Sequence, residues 1–203
     1  MHKRTALKLI AACAVSAGAA GLFSACSEQK PAFVSIDLTG ATYAKNFELT
    51  DHHGQVRHLP DFAGKVVVLF FGYTQCPDVC PTAMVELASI KTALGKDGER
   101  LQGLFVSIDP ERDTPEVLKA YMGNFDPSFL ALTTSPAKLA ELAKDFKVYY
   151  KKVEGKTPTS YTMDHSAGSY VYDAKGQLRL FTRYGSAPQG LTADIQQLLK
   201  EAS

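Results

Sequence analysis

The sequence predicts a three-layer α/β/α domain on a mixed central sheet, and three observations carry that reading. Residues 66–71 (VVVLFF) form an apolar, β-branched and aromatic run with the length of a buried strand. Strand-like and helix-like patterns then alternate through the first two-thirds of the chain, which implies βαβ crossovers and parallel strands. Near the C-terminus two alternating runs flank AKG (174–176), a hairpin that adds antiparallel strands to the sheet.

Taken in order, residues 46–50 (NFELT) and 55–59 (QVRHL) alternate around the turn residues DHHG (51–54), an N-terminal hairpin. The central strand at 66–71 follows. Pro81 opens a segment whose apolar Ala83, Leu87, Ile90 and Leu94 fall at helical spacing. Residues 101–108 (LQGLFVSI) make the next strand. It runs into DPERD (109–113), after which Thr114 or Asp113 can cap a helix with Pro115 at its first position. A short strand at 131–134 precedes a helix from Ser135 and Pro136, buried through Leu139, Leu142, Ala143 and Phe146. Residues 148–153 read as an edge strand, 157–165 as a loop, 169–173 and 178–184 as the second hairpin, and 192–199 as the last helix. The order β-α-β-α-β-β-α, with a cysteine pair after the first core strand, is the thioredoxin-like arrangement. The N-terminal hairpin and the helix–strand segment between Asp109 and Thr134 are additions to it.

At 203 residues the chain is long enough to bury a core, and its 45% apolar and 21% charged content are those of a globular protein. Its net charge of +1 leaves no electrostatic footprint for nucleic acid. Residues 1–25 read as a secretory signal: Lys3, Arg4 and Lys8 precede an uncharged apolar stretch too short to span a bilayer, and Ser24 and Ala25 supply small residues for cleavage. LFSAC (22–26) resembles a bacterial lipobox, with Phe23 where an aliphatic residue is usual; it implies acylation of Cys26, a tether over 26–35 and a domain over 36–203, with cleavage nearby to a secreted protein or an uncleaved anchor as the alternatives, and all three place the domain outside the cytoplasm. Losing residues 1–25 removes three cations and no acid, which turns +1 into −2.

Of four cysteines, Cys13 leaves with the signal and Cys26 carries the lipid, so Cys76 and Cys80 remain. A disulfide closing so short a loop restricts the unfolded chain little, which favours a functional pair over a structural one. The pair sits where a buried strand hands over to a helix, and free N–H groups with the helix dipole there favour thiolate. The C-x-x-x-C spacing puts both sulfurs on one face if the segment is helical. That suits two thiolates gripping a metal ion and leaves a disulfide within reach. Among five histidines, His2 leaves with the signal; His52, His53 and His58 read as solvated turn residues. His165 lies in the loop that faces the cysteines in a thioredoxin-like fold. A third ligand and a polar or capped core histidine are equal readings of it, with Asp164 beside it as a group that can orient the imidazole. Asp78 reads as a first-turn acid, Asp109, Arg112 and Asp113 as loop and cap residues at the rim, and Met84 as core packing, although Met84 and Met163 are soft enough for copper.

TQCPDVCP, SIDPERDTP and YTMDHSAGSYVYD together resemble the SCO/SenC family of copper-binding proteins that help assemble cytochrome c oxidase. The resemblance runs across about residues 47–199. It implies that Cys76, Cys80 and His165 bind one copper ion, as Cu(I), Cu(II) or both, and that the partner is oxidase subunit II, whose binuclear copper centre receives the metal or whose cysteines are kept reduced. A second copper carrier and a thiol reductant are further implied partners. Soft thiolates select Cu(I), imidazole keeps Cu(II) accessible, and three donors leave a tetrahedral ion one ligand short, which disfavours a closed zinc site; an open Cys2His zinc site stays an alternative, because zinc accepts the same ligand set. The rival reading is an enzyme, a thiol–disulfide oxidoreductase acting through Cys76 and Cys80. A peroxide reductase on the same fold trails for want of an arginine-and-threonine motif around Cys76.

Overall fold

The computed structural model describes residues 32–157 and 160–202. The signal segment, Cys26 and most of the expected tether lie outside them. In chain order the strands are β1 (Ile36–Asp37), β2 (Glu48–Asp51), β3 (Val56–His58), β4 (Val66–Gly72), β5 (Leu101–Ser107), β6 (Leu130–Thr133), β7 (Tyr150–Val153), β8 (Thr162–His165), β9 (Gly168–Tyr172) and β10 (Leu178–Arg183). The helices are α1 (Val79–Ala93), α2 (Pro115–Met122), α3 (Pro136–Asp145) and α4 (Pro188–Glu201).

The eight-stranded sheet has the order β1-β10-β9-β4-β5-β6-β2-β3. Strands β4, β5 and β6 run parallel, Val66 opposite Leu101 and Leu104 opposite Leu130, and the other pairs are antiparallel. The sheet is therefore mixed, as the sequence predicts. Every residue of β4 and β5 is buried, which accounts for their unbroken apolar composition. Each large side chain there contributes about 1.5–3 kcal/mol by leaving water. Helices α1 and α4 pack on one another and α2 packs against β6. Leu118 and Met122 of α2 and Leu139 and Ala143 of α3 carry the buried faces that the periodicity marks. Thr114 Oγ1 accepts from Val117 N–H (3.3 Å) and Ser135 Oγ from Lys138 N–H (3.4 Å), each with proline at the first position.

Several expectations change. The added N-terminal hairpin joins the main sheet: β2 pairs with β6, so β2 and β3 complete one edge of it. The edge strand expected over 148–153 forms as β7, but in a separate two-stranded sheet with β8. His165 closes β8, with Tyr150 opposite, so it lies on a strand rather than in a loop. His52 is not solvated. It is 8% exposed, and its Nδ1 accepts from Ala131 N–H (3.0 Å), because pairing β2 with β6 draws the turn over the core. Met84 is core, as its helical position predicts. Among the described residues no helix is long and apolar enough to cross a membrane.

Candidate metal centre

The centre is built where β4 ends. Gly72 closes the strand close against the Cys80 sulfur: a Cβ there would lie 2.9 Å from Cys80 Sγ. Tyr73, buried beneath the loop, accepts from Cys76 N–H (3.2 Å) through its carbonyl. Helix α1 begins at Val79, two residues before Pro81, so Cys80 is in the first turn and Cys76 lies outside the helix. The i, i+4 helical geometry is thus not what brings the sulfurs together. Asp78 occupies the N-cap position without a capping bond from its side chain, and Cys80 N–H instead donates to Cys76 Sγ (3.4 Å). A sulfur satisfies one of the free N–H groups that every helix start presents.

From across the site, His165 Nε2 comes within 3.7 Å of Cys80 Sγ, over a sequence separation of 85. The two sulfurs and a histidine nitrogen all lie within 4.8 Å of one another. Both cysteines are unbridged; Cys80 is buried, Cys76 and His165 half-buried. The imidazole is held by three contacts. Its Nδ1–H donates to the Ser166 carbonyl (3.0 Å), and Phe70 and Tyr73 meet the ring edge-on, with centroids 6.2 and 6.1 Å away. That hydrogen bond puts the proton on Nδ1 and leaves the Nε2 lone pair facing the sulfurs. Asp164 is exposed, and the orienting partner is this carbonyl instead.

Burial sets the protonation. It pushes His165 below the ordinary histidine range, so the imidazole is neutral, the form a metal takes. It pushes the Cys80 thiol far upward, against the expectation of an easily lost proton. At 0% exposure the loss of hydration outweighs the helix dipole, so Cys80 keeps its proton until a cation takes its place. Cys80 and His165 therefore both stand neutral in a partly dry site.

The DPERD loop does more than cap a helix. Asp113 is buried and leaves the cap to Thr114; its carboxylate accepts from Thr74 Oγ1 (2.6 Å), Thr74 N–H (3.3 Å) and Ser107 Oγ (2.6 Å), which pins the cysteine loop to the end of β5. Asp109, also buried, accepts from Tyr161 O–H (2.7 Å) at the entry to β8. Two aspartates in one polar loop are visible in the sequence; that both are buried is not.

A thioredoxin-like fold with two cysteines at its strand-to-helix turn and a histidine facing them defines a class of thiol and metal-site proteins. The chain belongs to the SCO1/SenC family, whose model matches residues 35–200. It is 35% identical over 156 residues to an SCO2-like protein of Rickettsia felis, covering 76% of this chain and 74% of that one. Among solved structures it is similar to Bradyrhizobium japonicum ScoI with copper bound (39% identity, TM-score 0.69, 75% of this chain and 97% of that one). It is also similar to apo Sco1 of Thermus thermophilus (39% identity, TM-score 0.71, 82% and 97%).

Proposed function

We propose that Cys76, Cys80 and His165 bind one copper ion and that the chain is an extracytoplasmic metallochaperone for the binuclear copper centre of cytochrome c oxidase subunit II, anchored by lipid at Cys26. The observation that carries the reading is the convergence of the three donor atoms within 4.8 Å. The chemistry supports it: two soft sulfurs suit Cu(I), the pre-oriented imidazole keeps Cu(II) accessible, and a three-donor set leaves a position an acceptor can enter before the donor lets go. The copper-bound relative supports the choice of metal, and the resemblance of the three sequence motifs to oxidase-assembly proteins supports the destination.

A second reading rests on Cys76. Half-exposed and receiving a helix N–H at its sulfur, it suits the attacking thiol of a thiol–disulfide oxidoreductase, with Cys80 resolving. His165→Ala separates the two. The reduced, anaerobic fragment from Ser27 onward is titrated with Cu(I) against a competing chelator; Cu(II) is then added and sulfur-to-copper charge transfer recorded. One tight copper per chain, weakened by His165→Ala, is the expected result. No tight copper, with ready exchange against a small disulfide in both proteins, would establish the oxidoreductase instead.

A further inference from the structure

The cysteines and the histidine reach the site on separate segments, the loop and first helical turn after β4 and the end of β8, and among the described residues β8 pairs with β7 and not with the main sheet. We propose that Arg112 is the positioning residue that holds the His165 strand against the cysteine loop, an inference that rests on the reading of these three residues as copper ligands. Its Nη1 donates both to Gln75 Oε1 (3.0 Å), the side chain just before Cys76, and to the carbonyl of Tyr161 (2.9 Å), just before β8. Its Nε donates to Asp109 Oδ2 (2.5 Å), and Asp109 in turn takes the Tyr161 hydroxyl. The guanidinium carbon lies 3.4 Å from the centre of the Tyr161 ring and 5.9 Å from that of Tyr73, which itself edges the imidazole. One planar group therefore touches the cysteine loop, the histidine strand and the DPERD loop at once. A lysine could not, because its single ammonium neither forks nor stacks.

The energetics point the same way. Arg112 Nη2 is buried and has no hydrogen-bond partner among the described residues. The other contacts of the guanidinium commit it to this plane, at the cost of that N–H. Strand β8 is four residues long and, among the described residues, pairs with β7 alone; Ser166 and β9 anchor its far end, and Arg112 holds its near end at Tyr161.

The test is a double-substitution cycle on the detergent-solubilised full-length chain, read by competitive Cu(I) titration. Arg112→Met is expected to lower affinity about tenfold to a hundredfold, the range for losing a group that orients a ligand. Arg112→Lys recovers little of it, and Gln75→Ala, at an exposed position, lowers affinity a few-fold (roughly, as one of several contacts). In a His165→Ala background Arg112→Met costs less than about twofold, since a positioning residue has nothing left to position. Parent affinity in Arg112→Met, or full additivity with His165→Ala, overturns the proposal. Hydrogen exchange on the metal-free protein gives an independent reading should the parent bind no copper, in which case the functional assignment fails on its own. Faster exchange in β7 and β8 with β4 unchanged supports the latch, and unchanged exchange in β8 refutes it. If Arg112→Met speeds exchange in β4 as well, its fold is compromised and Gln75→Ala decides by the same criterion.

Discussion

A methyl group at Gly72 would press directly on the site. In Gly72→Ala the new Cβ lies 2.8 Å from Phe105 Cε2 and 2.9 Å from both Cys80 Sγ and Phe70 Cε1, where relaxed carbon contacts need about 3.5–4.0 Å. All three neighbours are buried side chains, at most 2% exposed, with no solvent to move into. Overpacking of this kind costs about 1–3 kcal/mol, or about 2–4 °C of melting temperature per kcal/mol in a domain of this size. Whichever way the strain divides, part of it displaces the Cys80 sulfur, and metal–ligand distances tolerate only about 0.2 Å. Copper affinity should therefore fall at least about tenfold, equivalent to 1.4 kcal/mol. Gly103→Ala on the neighbouring strand is the control: its Cβ would meet the Phe129 ring at 2.8–2.9 Å, an equal overpacking that touches no proposed ligand. Urea denaturation and competitive Cu(I) titration of both variants separate the effects. The stability losses should be similar, with the affinity loss confined to Gly72→Ala. Parent affinity in Gly72→Ala, or an equal loss in Gly103→Ala, would refute the claim that this glycine exists to seat the sulfur.

Two further outcomes follow from buried polar groups. Burial, with the neighbouring His53 charge, holds His52 below the ordinary histidine pKa. The unfolded chain thus takes the proton first, so stability is full above about pH 6.5 and falls as pH drops through that value toward the folded pKa. Burial shifts His165 in the same direction. His52→Asn, whose amide oxygen can replace Nδ1 as acceptor for Ala131 N–H, should flatten the decline measured by urea denaturation between about pH 7 and pH 5; an unchanged slope would contradict this. The Tyr121 hydroxyl is buried without a hydrogen-bond partner among the described residues. Tyr121→Phe is accordingly expected to leave stability unchanged or raise it by about 1 kcal/mol, and a clear loss in the same assay would mean that the hydroxyl has a partner.

The elements that carry the cysteines were legible because their signals are local. An unbroken apolar run becomes a strand buried on both faces, a 3.6-residue period becomes the buried face of α1, and Thr114 or Ser135 before proline becomes a cap. The candidate ligands were legible for a different reason: cysteine and histidine announce their chemistry by type, and the family resemblance links positions that spacing cannot. Long-range placement accounts for the failures. His52 looks like a turn residue until β2 pairs with β6, 79 residues away, and gives its ring an acceptor role. The strand nature of His165 depends on Tyr150 across β7, and four residues with one partner leave no distinctive pattern.

By itself, then, the sequence determined the strand–helix frame, the cysteine pair at its turn and the histidine to look for, because those follow from periodicity and side-chain chemistry that neighbouring residues express. Only the tertiary structure decided the rest: that Cys80 is dry and keeps its proton, that the Ser166 carbonyl rather than Asp164 aims the imidazole, and that Asp109 and Asp113 are buried with Arg112 reaching both Gln75 and Tyr161. Those depend on desolvation and on contacts between segments far apart in the chain, and neither exists until the sheet has closed.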